Sequence, residues 1–211
     1  MKFTYMFTEP PLMEVEYPGD ITPFKEYCTH LKIVETGRRH WMSDSVNVLK
    51  EPELHDLNEF LLDSLRRYNR EILLSDHDVE ITSSWTNHQF QGNENPEHHH
   101  TNSFLSGTFY IRTTKDSPPI MFKSSFNKYN FSIVPEAPSS GDATSVTRSM
   151  FSHPVKEGTG VIFSSNQVHG VPPNSIDDER ISLAFNTYFK GKTRFVPMSY
   201  NSDVSPRATY K

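Results

Sequence analysis

From residue 79 onward the chain reads as short strands separated by turn residues, and this pattern constrains the fold more than any other feature of the sequence. The 15 prolines and 9 glycines are scattered, which fits many short elements joined by turns. The polar segment from Pro135 to Met150 is predicted to be a functional or mobile loop. The predicted strands are VEITSSWTN, SFLSGTFYIRT, PIMFK, YNFSIV, GVIFSS and RISLAFNTYF.

Two helices are predicted before residue 79. The first has Thr22 as its N-cap and Pro23 at its first position, and it continues through FKEYCTHLKIVE. The second begins near Pro52, and its apolar residues recur every three or four positions over about five turns. Such a helix needs a partner surface, which we expect to be the outside of a sheet. Its apolar residues are Leu54, Leu57, Leu61, Leu65, Tyr68 and Ile72.

Helices followed by a run of strands predict an α+β fold that is mainly β. The leading architecture is a double-stranded β-helix, or jelly-roll, with the N-terminal helices packed on the outside. The 211 residues suit a single domain, 1–211. Within it, residues 1–78 are interpreted as an N-terminal strand and helical support, 79–190 as the jelly-roll core and 191–211 as a C-terminal tail.

Charge and cysteine content restrict the classes of function and the compartment. The net charge is −5 at pH 7, and the densest basic clusters are only Arg38-Arg39 and Arg66-Arg67, which disfavours nucleic acid as a general ligand. Cys28 is the single cysteine, so an intrachain disulfide is excluded and a reducing, cytoplasmic setting is predicted. The N-terminus lacks the apolar core of a signal peptide, and no run approaches membrane-spanning length. The oligomeric state is left open.

Three consecutive histidines, His98 to His100, suggest a metal site. Side chains alternate along a strand, so His98 and His100 would face one ion while His99 points away. The third ligand would be His169, far downstream, after the strand GVIFSS and before a turn. By itself the triplet is more typical of a solvated loop. Five other histidines are assigned no role, namely His30, His40, His55, His77 and His153.

The segment ERISLAFNTYF adds a second kind of site. Arg180 and Ser182 share one face of a strand, and an arginine beside a hydroxyl group suits bidentate pairing with a carboxylate. Alone, Arg180 would be interpreted as a surface residue in a salt bridge. The ordered combination of His-x-His, a distal His and Arg-x-Ser is much rarer than any of its parts, and it favours a metal enzyme that binds an acid.

In order, these motifs resemble the 2-oxoglutarate/Fe(II)-dependent dioxygenases, and more narrowly a group of 2OG-Fe(II) oxygenases of bacteria and bacteriophages. The signature of that group reads approximately W-x-N, a Gly, H-x-H, S-G-x-Y-Y, a distal His and R-I-S. The resemblance spans roughly residues 83 to 189, and a phage-borne copy would act in the bacterial host cytoplasm. Its counterparts here are Trp85-Thr86-Asn87, Gly92, His98-His99-His100, Ser106-Gly107-Thr108-Phe109-Tyr110, His169 and Arg180-Ile181-Ser182.

The resemblance implies a hydroxylase that holds Fe(II) between two sheets, uses O2 and converts 2-oxoglutarate to succinate and CO2. The aliphatic C–H bond that it hydroxylates belongs to an unidentified small-molecule or peptidyl substrate. His98, His100 and His169 would bind the metal. Arg180 and Ser182 would bind the far carboxylate of 2-oxoglutarate, and Tyr110 could add a hydrogen bond from the neighbouring strand. Beyond the metal centre no catalytic residue is expected.

His100 departs from the broader superfamily, which uses His-x-Asp/Glu with the distal histidine. A three-histidine site is chemically sound, although it removes one negative charge. Alternatively His100 does not bind, which leaves two protein ligands and water. Glu97 is a further option, but strand alternation aims it with His99, away from His98.

Four side chains are candidates for the substrate pocket, and each has a structural alternative. Trp85 could be a core aromatic residue, and Asn87 and Asn102 could stabilise turns. Asn186 could line the pocket or fill the barrel. Ser106-Gly107 is interpreted as structural, because glycine permits close approach of the backbone.

Two other functions compete with the oxygenase. The first is a cupin-like three-histidine enzyme that does not use 2-oxoglutarate, which would explain His100 but leave Arg180 and Ser182 without a role. The second is a non-enzymatic metal-binding jelly-roll, because the fold alone does not set the function.

Overall fold

The computed structural model describes residues 10–37, 40–124 and 150–191, together with the backbone of 193–195 and 202–204. The predicted strand YNFSIV lies outside the described residues. So does the predicted loop from Pro135, apart from its last residue, Met150. None of the helices in the described ranges is long and apolar enough to cross a membrane.

Two antiparallel sheets form the body of the protein. The strands are β1 (Met13–Glu16), β2 (Ile33–Glu35), β3 (Trp41–Ser43), β4 (Val79–Gln89), β5 (Asn95–His98), β6 (Leu105–Arg112), β7 (Ile120–Lys123), β8 (Met150–His153), β9 (Thr159–Ser164), β10 (Val168–Val171), β11 (Arg180–Phe189), β12 (Thr193–Phe195) and β13 (Ser202–Val204). The major sheet has seven strands in the order β1-β9-β6-β11-β4-β3-β2, and the minor sheet has four in the order β5-β10-β7-β8. This arrangement confirms the predicted fold class, a mainly β jelly-roll with few helices.

Two helices, α1 (Thr22–Thr29) and α2 (His55–Ile72), precede β4. The apolar stripe of α2 is buried in one cluster with side chains of β6 and β11, such as Phe109 and Leu183. The helix therefore packs on the outer face of the major sheet, as its apolar stripe predicts. Ile72 is the exception in the predicted stripe, because it is 42% exposed at the end of the helix.

The predicted extent of the first helix is wrong. The helix ends at Thr29, and Ile33–Glu35 forms β2, which pairs with β3. The β-branched residues Ile33 and Val34 prefer a strand when a partner edge is present. The predicted cap is also displaced, because Ile21 occupies the N-cap position. The Asp20 carboxylate accepts hydrogen bonds from the backbone N–H and the hydroxyl group of Thr22, at 2.9 and 2.7 Å.

Alternation along the central strands separates two environments. On β11, Ile181, Leu183 and Phe185 belong to the apolar cluster beneath the helices. The intervening Arg180 and Ser182 line a cavity between the two sheets. The same alternation holds on β6, where Leu105, Phe109 and Ile111 also belong to the apolar cluster. One face of the major sheet therefore packs on the helices and the other faces the minor sheet.

Gly107, in the middle of β6, permits the close packing expected of the Ser106-Gly107 motif. A Cβ atom at this position would collide with the ring of Phe185 and lie 2.8 Å from the carbonyl oxygen of Val161. We expect Gly107→Ala to lower the free energy of unfolding by about 1–3 kcal/mol, because both neighbours are held in the buried sheet. Urea denaturation measures this change. An unfolding free energy equal to that of the wild type would contradict the packing described.

Candidate metal centre and its cavity

Three histidine side chains meet at one end of the cavity. His98 ends β5 and His169 lies on β10, where the two residues are direct cross-strand partners. His100 reaches the same point from the turn that follows β5. Each of the three rings has one nitrogen that lies within 4.8 Å of a nitrogen of both other rings. This spacing would allow a single ion to bind all three.

Backbone carbonyl groups fix the tautomers of two of these rings. His98 Nδ1 lies 2.8 Å from the carbonyl oxygen of Pro96, and His169 Nδ1 lies 2.8 Å from that of Gln167. A carbonyl oxygen only accepts, so each Nδ1 carries the hydrogen. In the neutral ring, Nε2 then keeps its lone pair for a metal.

His100 is held by its backbone and by an aromatic neighbour. Its N–H donates to the carbonyl oxygen of Ser165 at 2.9 Å. Its ring stands edge-to-face with Trp85, with 6.1 Å between the ring centroids. Because β5 ends at His98, these contacts, rather than the alternation of a continuing strand, aim His100 at the other two histidines. His99 is exposed, and Glu97 forms an ion pair with Lys123 at 2.8 Å.

Burial keeps two of the three rings neutral. Removal from water lowers the pKa of His169 to about 3 and that of His100 to about 4, and the neighbouring histidines add to both effects. Neutral imidazole is the form that binds a metal. Near neutral pH these two residues therefore have no proton to release before an ion binds.

The same pKa shifts predict the pH dependence of the metal-free protein. In the unfolded chain both histidines take up protons as the pH falls below the ordinary value of 6.5, whereas in the folded protein they resist protonation until about 4 and 3. The unfolded state thus binds more protons in this window, and stability falls with decreasing pH. Melting temperatures between pH 7.5 and 5 should decrease, and less steeply in His169→Gln. Identical slopes in the two proteins would contradict this account.

The opposite part of the cavity contains a buried arginine. Arg180, 2% exposed, donates from Nη1 to Gln89 Oε1 at 2.7 Å and to Ser182 Oγ at 3.2 Å. No ion pair involves Arg180 within the described residues. Burial lowers its pKa to about 10, so it stays charged at neutral pH. Arg180 is therefore not a surface residue in a salt bridge.

Three buried polar atoms near this arginine have no hydrogen-bond partner among the described residues. They are Arg180 Nε, Gln89 Nε2 and the hydroxyl oxygen of Tyr110. Tyr110 stands beside Arg180, whose guanidinium carbon lies 5.5 Å from the centre of its ring. All three atoms can donate a hydrogen bond, and buried donors without acceptors are costly. A carboxylate would supply the missing acceptors and the missing negative charge.

The side chains present therefore fit both Fe(II) and 2-oxoglutarate. Neutral imidazole nitrogens suit Fe(II), and a cationic pocket with unsatisfied donors suits the far carboxylate of the cosubstrate. The histidine cluster and Arg180 line one continuous cavity. Tyr110 lies deeper, fully buried between the sheets, and packs with Ile120 and Phe163.

The four candidates for the substrate pocket divide into two pairs. Trp85 and Asn87 line the cavity, and the indole N–H of Trp85 donates to Asn87 Oδ1 at 3.1 Å. Asn102 is exposed in a turn and does not line this cavity. Asn186 accepts a hydrogen bond from Ser106 at 2.7 Å and also lies outside the cavity lining.

Sequence reasoning missed Gln89 and Asn95, which line the cavity. Strand alternation places Gln89 on the same face of β4 as Trp85 and Asn87, and this signal was available. Its position opposite Arg180 depends on the register of β4 with β11, which the sequence does not show. Asn95 begins β5, a strand too short to be recognised by periodicity.

A jelly-roll with a histidine cluster and a buried cationic pocket in one cavity fits the arrangement that the resemblance implies. Residues 83–186 match the sequence model of the family described as "Putative 2OG-Fe(II) oxygenase". This match covers just under half of the chain, and it supports the resemblance to the 2OG-Fe(II) oxygenase superfamily seen in the motifs. The cofactors of that superfamily are Fe(II), 2-oxoglutarate and O2.

Solved structures support the same fold. HygX from Streptomyces hygroscopicus, with nickel and 2-oxoglutarate bound, is 13% identical with a TM-score of 0.60, over 85% of this chain and 83% of that one. An oxidoreductase of the 2OG-Fe(II) oxygenase family from Burkholderia pseudomallei is 12% identical, TM-score 0.59, over 83% of each chain. The epimerase SnoN from nogalamycin biosynthesis is 12% identical, TM-score 0.61, over 85% of this chain and 78% of that one. No curated protein matches the sequence.

Proposed function

We propose that this protein is an Fe(II)- and 2-oxoglutarate-dependent hydroxylase. The observation that carries the proposal is the set of unpartnered buried donors on Arg180, Gln89 and Tyr110, close to a cavity that also contains three histidines. In the proposed reaction an aliphatic C–H bond becomes C–OH. One oxygen atom of O2 enters the product and the other enters succinate, while C1 of 2-oxoglutarate leaves as CO2.

The protein's own residues bind and orient the reactants. His98, His100 and His169 would hold the iron, and the carbonyl groups of Pro96 and Gln167 keep two of the rings in the metal-binding tautomer. Iron held by these residues would supply the oxidative decarboxylation of 2-oxoglutarate that is coupled to oxidation of the substrate.

Arg180 and Ser182 would hold the far carboxylate of 2-oxoglutarate, and Tyr110 could donate a further hydrogen bond to it. Arg180 is directed towards this role by Gln89 Oε1, which accepts from Nη1. The guanidinium Nε, which has no partner among the described residues, is left for the ligand. A low-dielectric cavity strengthens such contacts and excludes water.

The substrate side of the proposal rests on chemistry alone. A small molecule or a peptidyl side chain with an aliphatic C–H bond fits the proposal, and the net charge of −5 disfavours nucleic acid. The same fold supports other reactions, since proteins with similar solved structures include an epimerase and a carbocyclase. Hydroxylation is proposed because it is the commonest result of this chemistry and requires no further protein group.

Anaerobic titration of the Fe(II) protein with 2-oxoglutarate tests the cosubstrate. We expect saturable binding with a weak visible charge-transfer band. A screen of substrate classes for succinate release under air then tests turnover, and mass spectrometry of the product should show one added oxygen atom. Oxygen consumption without succinate release would instead favour the cupin-like enzyme that the three histidines also suggest.

A further inference from the structure

Asn87 stands on the cavity face of β4, between the two ends of the proposed site. In the register of the major sheet it lies opposite Ser182, while Gln89 lies opposite Arg180 and Trp85 opposite Ala184. Trp85 contacts the ring of His100. Asn87 therefore separates the arginine end of the cavity from the histidine end, and it is only 6% exposed.

The orientation of the Asn87 amide is fixed by its neighbours. The indole N–H of Trp85, which can only donate, lies 3.1 Å from Oδ1. This contact identifies Oδ1 as the oxygen and Nδ2 as the amide nitrogen. Nδ2 has no acceptor among the described residues, and Asn87 lines the cavity. The cavity therefore contains an oriented amide donor that has no partner in the described part of the chain.

His40 makes the second contact that holds this amide. Its Nε2 lies 3.0 Å from Asn87 Oδ1, and because that oxygen only accepts, Nε2 must carry a hydrogen. This holds for the neutral ring and for the charged ring alike. Nδ1 of His40 lies 3.1 Å from the hydroxyl oxygen of Thr36, and the backbone N–H of Thr36 donates to the His40 carbonyl oxygen at 2.9 Å.

We propose that Asn87 binds 2-oxoglutarate, with Nδ2 donating to a carboxylate oxygen, and that His40 is the positioning residue that holds the amide in place. His40 lies outside the segment 83–186 matched by the family, so family membership gives it no role. The proposal rests on the proposed function, and it adds a contact from Asn87 on β4 to the one proposed for Arg180 on β11. The flanking Gln89 and the opposite Ser182 favour the cosubstrate over the substrate as the partner of this amide.

Nickel-loaded protein tests the proposal without turnover, because Ni(II) does not activate O2 here, and calorimetry measures the dissociation constant of 2-oxoglutarate. Asn87→Asp keeps an acceptor for Trp85 and His40 but replaces the donor with a carboxylate oxygen. A hydrogen bond to a charged group contributes about 1.5–3 kcal/mol, so we expect affinity to fall by roughly 10- to 150-fold. Asn58→Asp on α2, whose side chain bonds only Glu59, is the matched control and should bind as the wild type does.

The role of His40 is tested by rescue. His40→Leu removes the donor to Asn87 Oδ1 and should weaken 2-oxoglutarate binding by about three- to tenfold, the loss of one neutral hydrogen bond. His40→Gln places an amide N–H near the former Nε2 and should restore most of the affinity, which a purely structural role would not predict. His55→Leu, at an exposed histidine on α2, is the control for the loss of an imidazole. Nickel content is measured on every sample, so that a loss of metal is not mistaken for a loss of binding.

The outcomes separate this proposal from the proposed function. If nickel-loaded wild type fails to bind 2-oxoglutarate, the proposed function is wrong. If the wild type and Asn87→Asp bind 2-oxoglutarate equally well, the proposed function stands and the role of Asn87 in binding the cosubstrate is overturned. The amide would then be available to bind the substrate instead. If His40→Gln is as impaired as His40→Leu, the positioning role of His40 is overturned.

Discussion

Replacement of Arg180 by alanine is expected to weaken 2-oxoglutarate binding by at least about a hundredfold. The side chain is buried without an ionic partner in the described structure, so the ligand carboxylate would be its counter-charge. Removing one member of a buried charge pair costs about 3–5 kcal/mol, because the remaining charge is left desolvated. Calorimetry with the nickel-loaded protein measures the loss directly. The 2-oxoglutarate affinity of Arg180→Lys should lie between those of Arg180→Ala and the wild type, because lysine keeps the charge but not the planar fork.

Arg112 offers a matched control. It forms an ion pair with Asp178 at 2.8 Å, and its side chain is 35% exposed, so Arg112→Ala should leave 2-oxoglutarate affinity within about twofold, as expected for an exposed pair. Metal content and melting temperature are compared for all variants. Equal affinity in Arg180→Ala and the wild type would remove the cosubstrate assignment, and the cupin-like alternative would then be preferred.

The larger regular elements could be predicted because their local patterns agree with their final surroundings. The apolar stripe of α2 from Leu54 to Tyr68 is buried as its periodicity implies. The long strands β6 and β11 alternate between the helix face and the cavity face. In each case, burial against a neighbouring layer reinforces the preference that the sequence already shows.

The short strands escaped prediction for a physical reason. Segments such as MEVE, WMS and NPEH have three or four residues, too few to show a period of two. Their conformation is set by backbone pairing with strands distant in sequence, as when β1 pairs with β9. Ile33–Glu35 illustrates the same effect, since it continues a helical pattern but is drawn into the major sheet by β3.

The site was predictable in its residue types and only partly in its geometry. Strand parity favoured His98 with His100, and the spacing of Arg180 and Ser182 indicated a shared face. The pairing of β5 with β10, which sets His98 beside His169, follows from sheet order and is invisible in the sequence. Gln89 was missed for the same reason, because its contact with Arg180 exists only in the folded sheet. The contact of His40 with Asn87 is equally invisible in the sequence.

The donor set also has an electrostatic consequence. Three neutral imidazoles leave the double charge of Fe(II) uncompensated by the protein, whereas the broader superfamily supplies one carboxylate. The compensating charge would have to come from 2-oxoglutarate, whose second carboxylate would pair with the cationic Arg180. Affinity for the metal and affinity for the dianion should therefore be coupled, each strengthening the other.

Substitution of His98 or of His169 by alanine is expected to lower Fe(II) affinity by at least about a hundredfold. This loss exceeds the roughly 10- to 100-fold typical of replacing a residue that only hydrogen-bonds to a metal ligand. Each substitution removes one of the three ring nitrogens that lie within 4.8 Å of one another. His99→Ala is the matched control, because His99 is the exposed member of the triplet, and it should keep the wild-type metal content. Mass spectrometry of tag-free protein after anaerobic loading and dialysis gives the metal stoichiometry. One equivalent of metal retained by both His98→Ala and His169→Ala would rule out this ligand set.

His100→Asp completes the series. This variant should retain the metal, because aspartate takes the place that the broader superfamily gives to an acid. The added negative charge should weaken 2-oxoglutarate binding relative to the wild type.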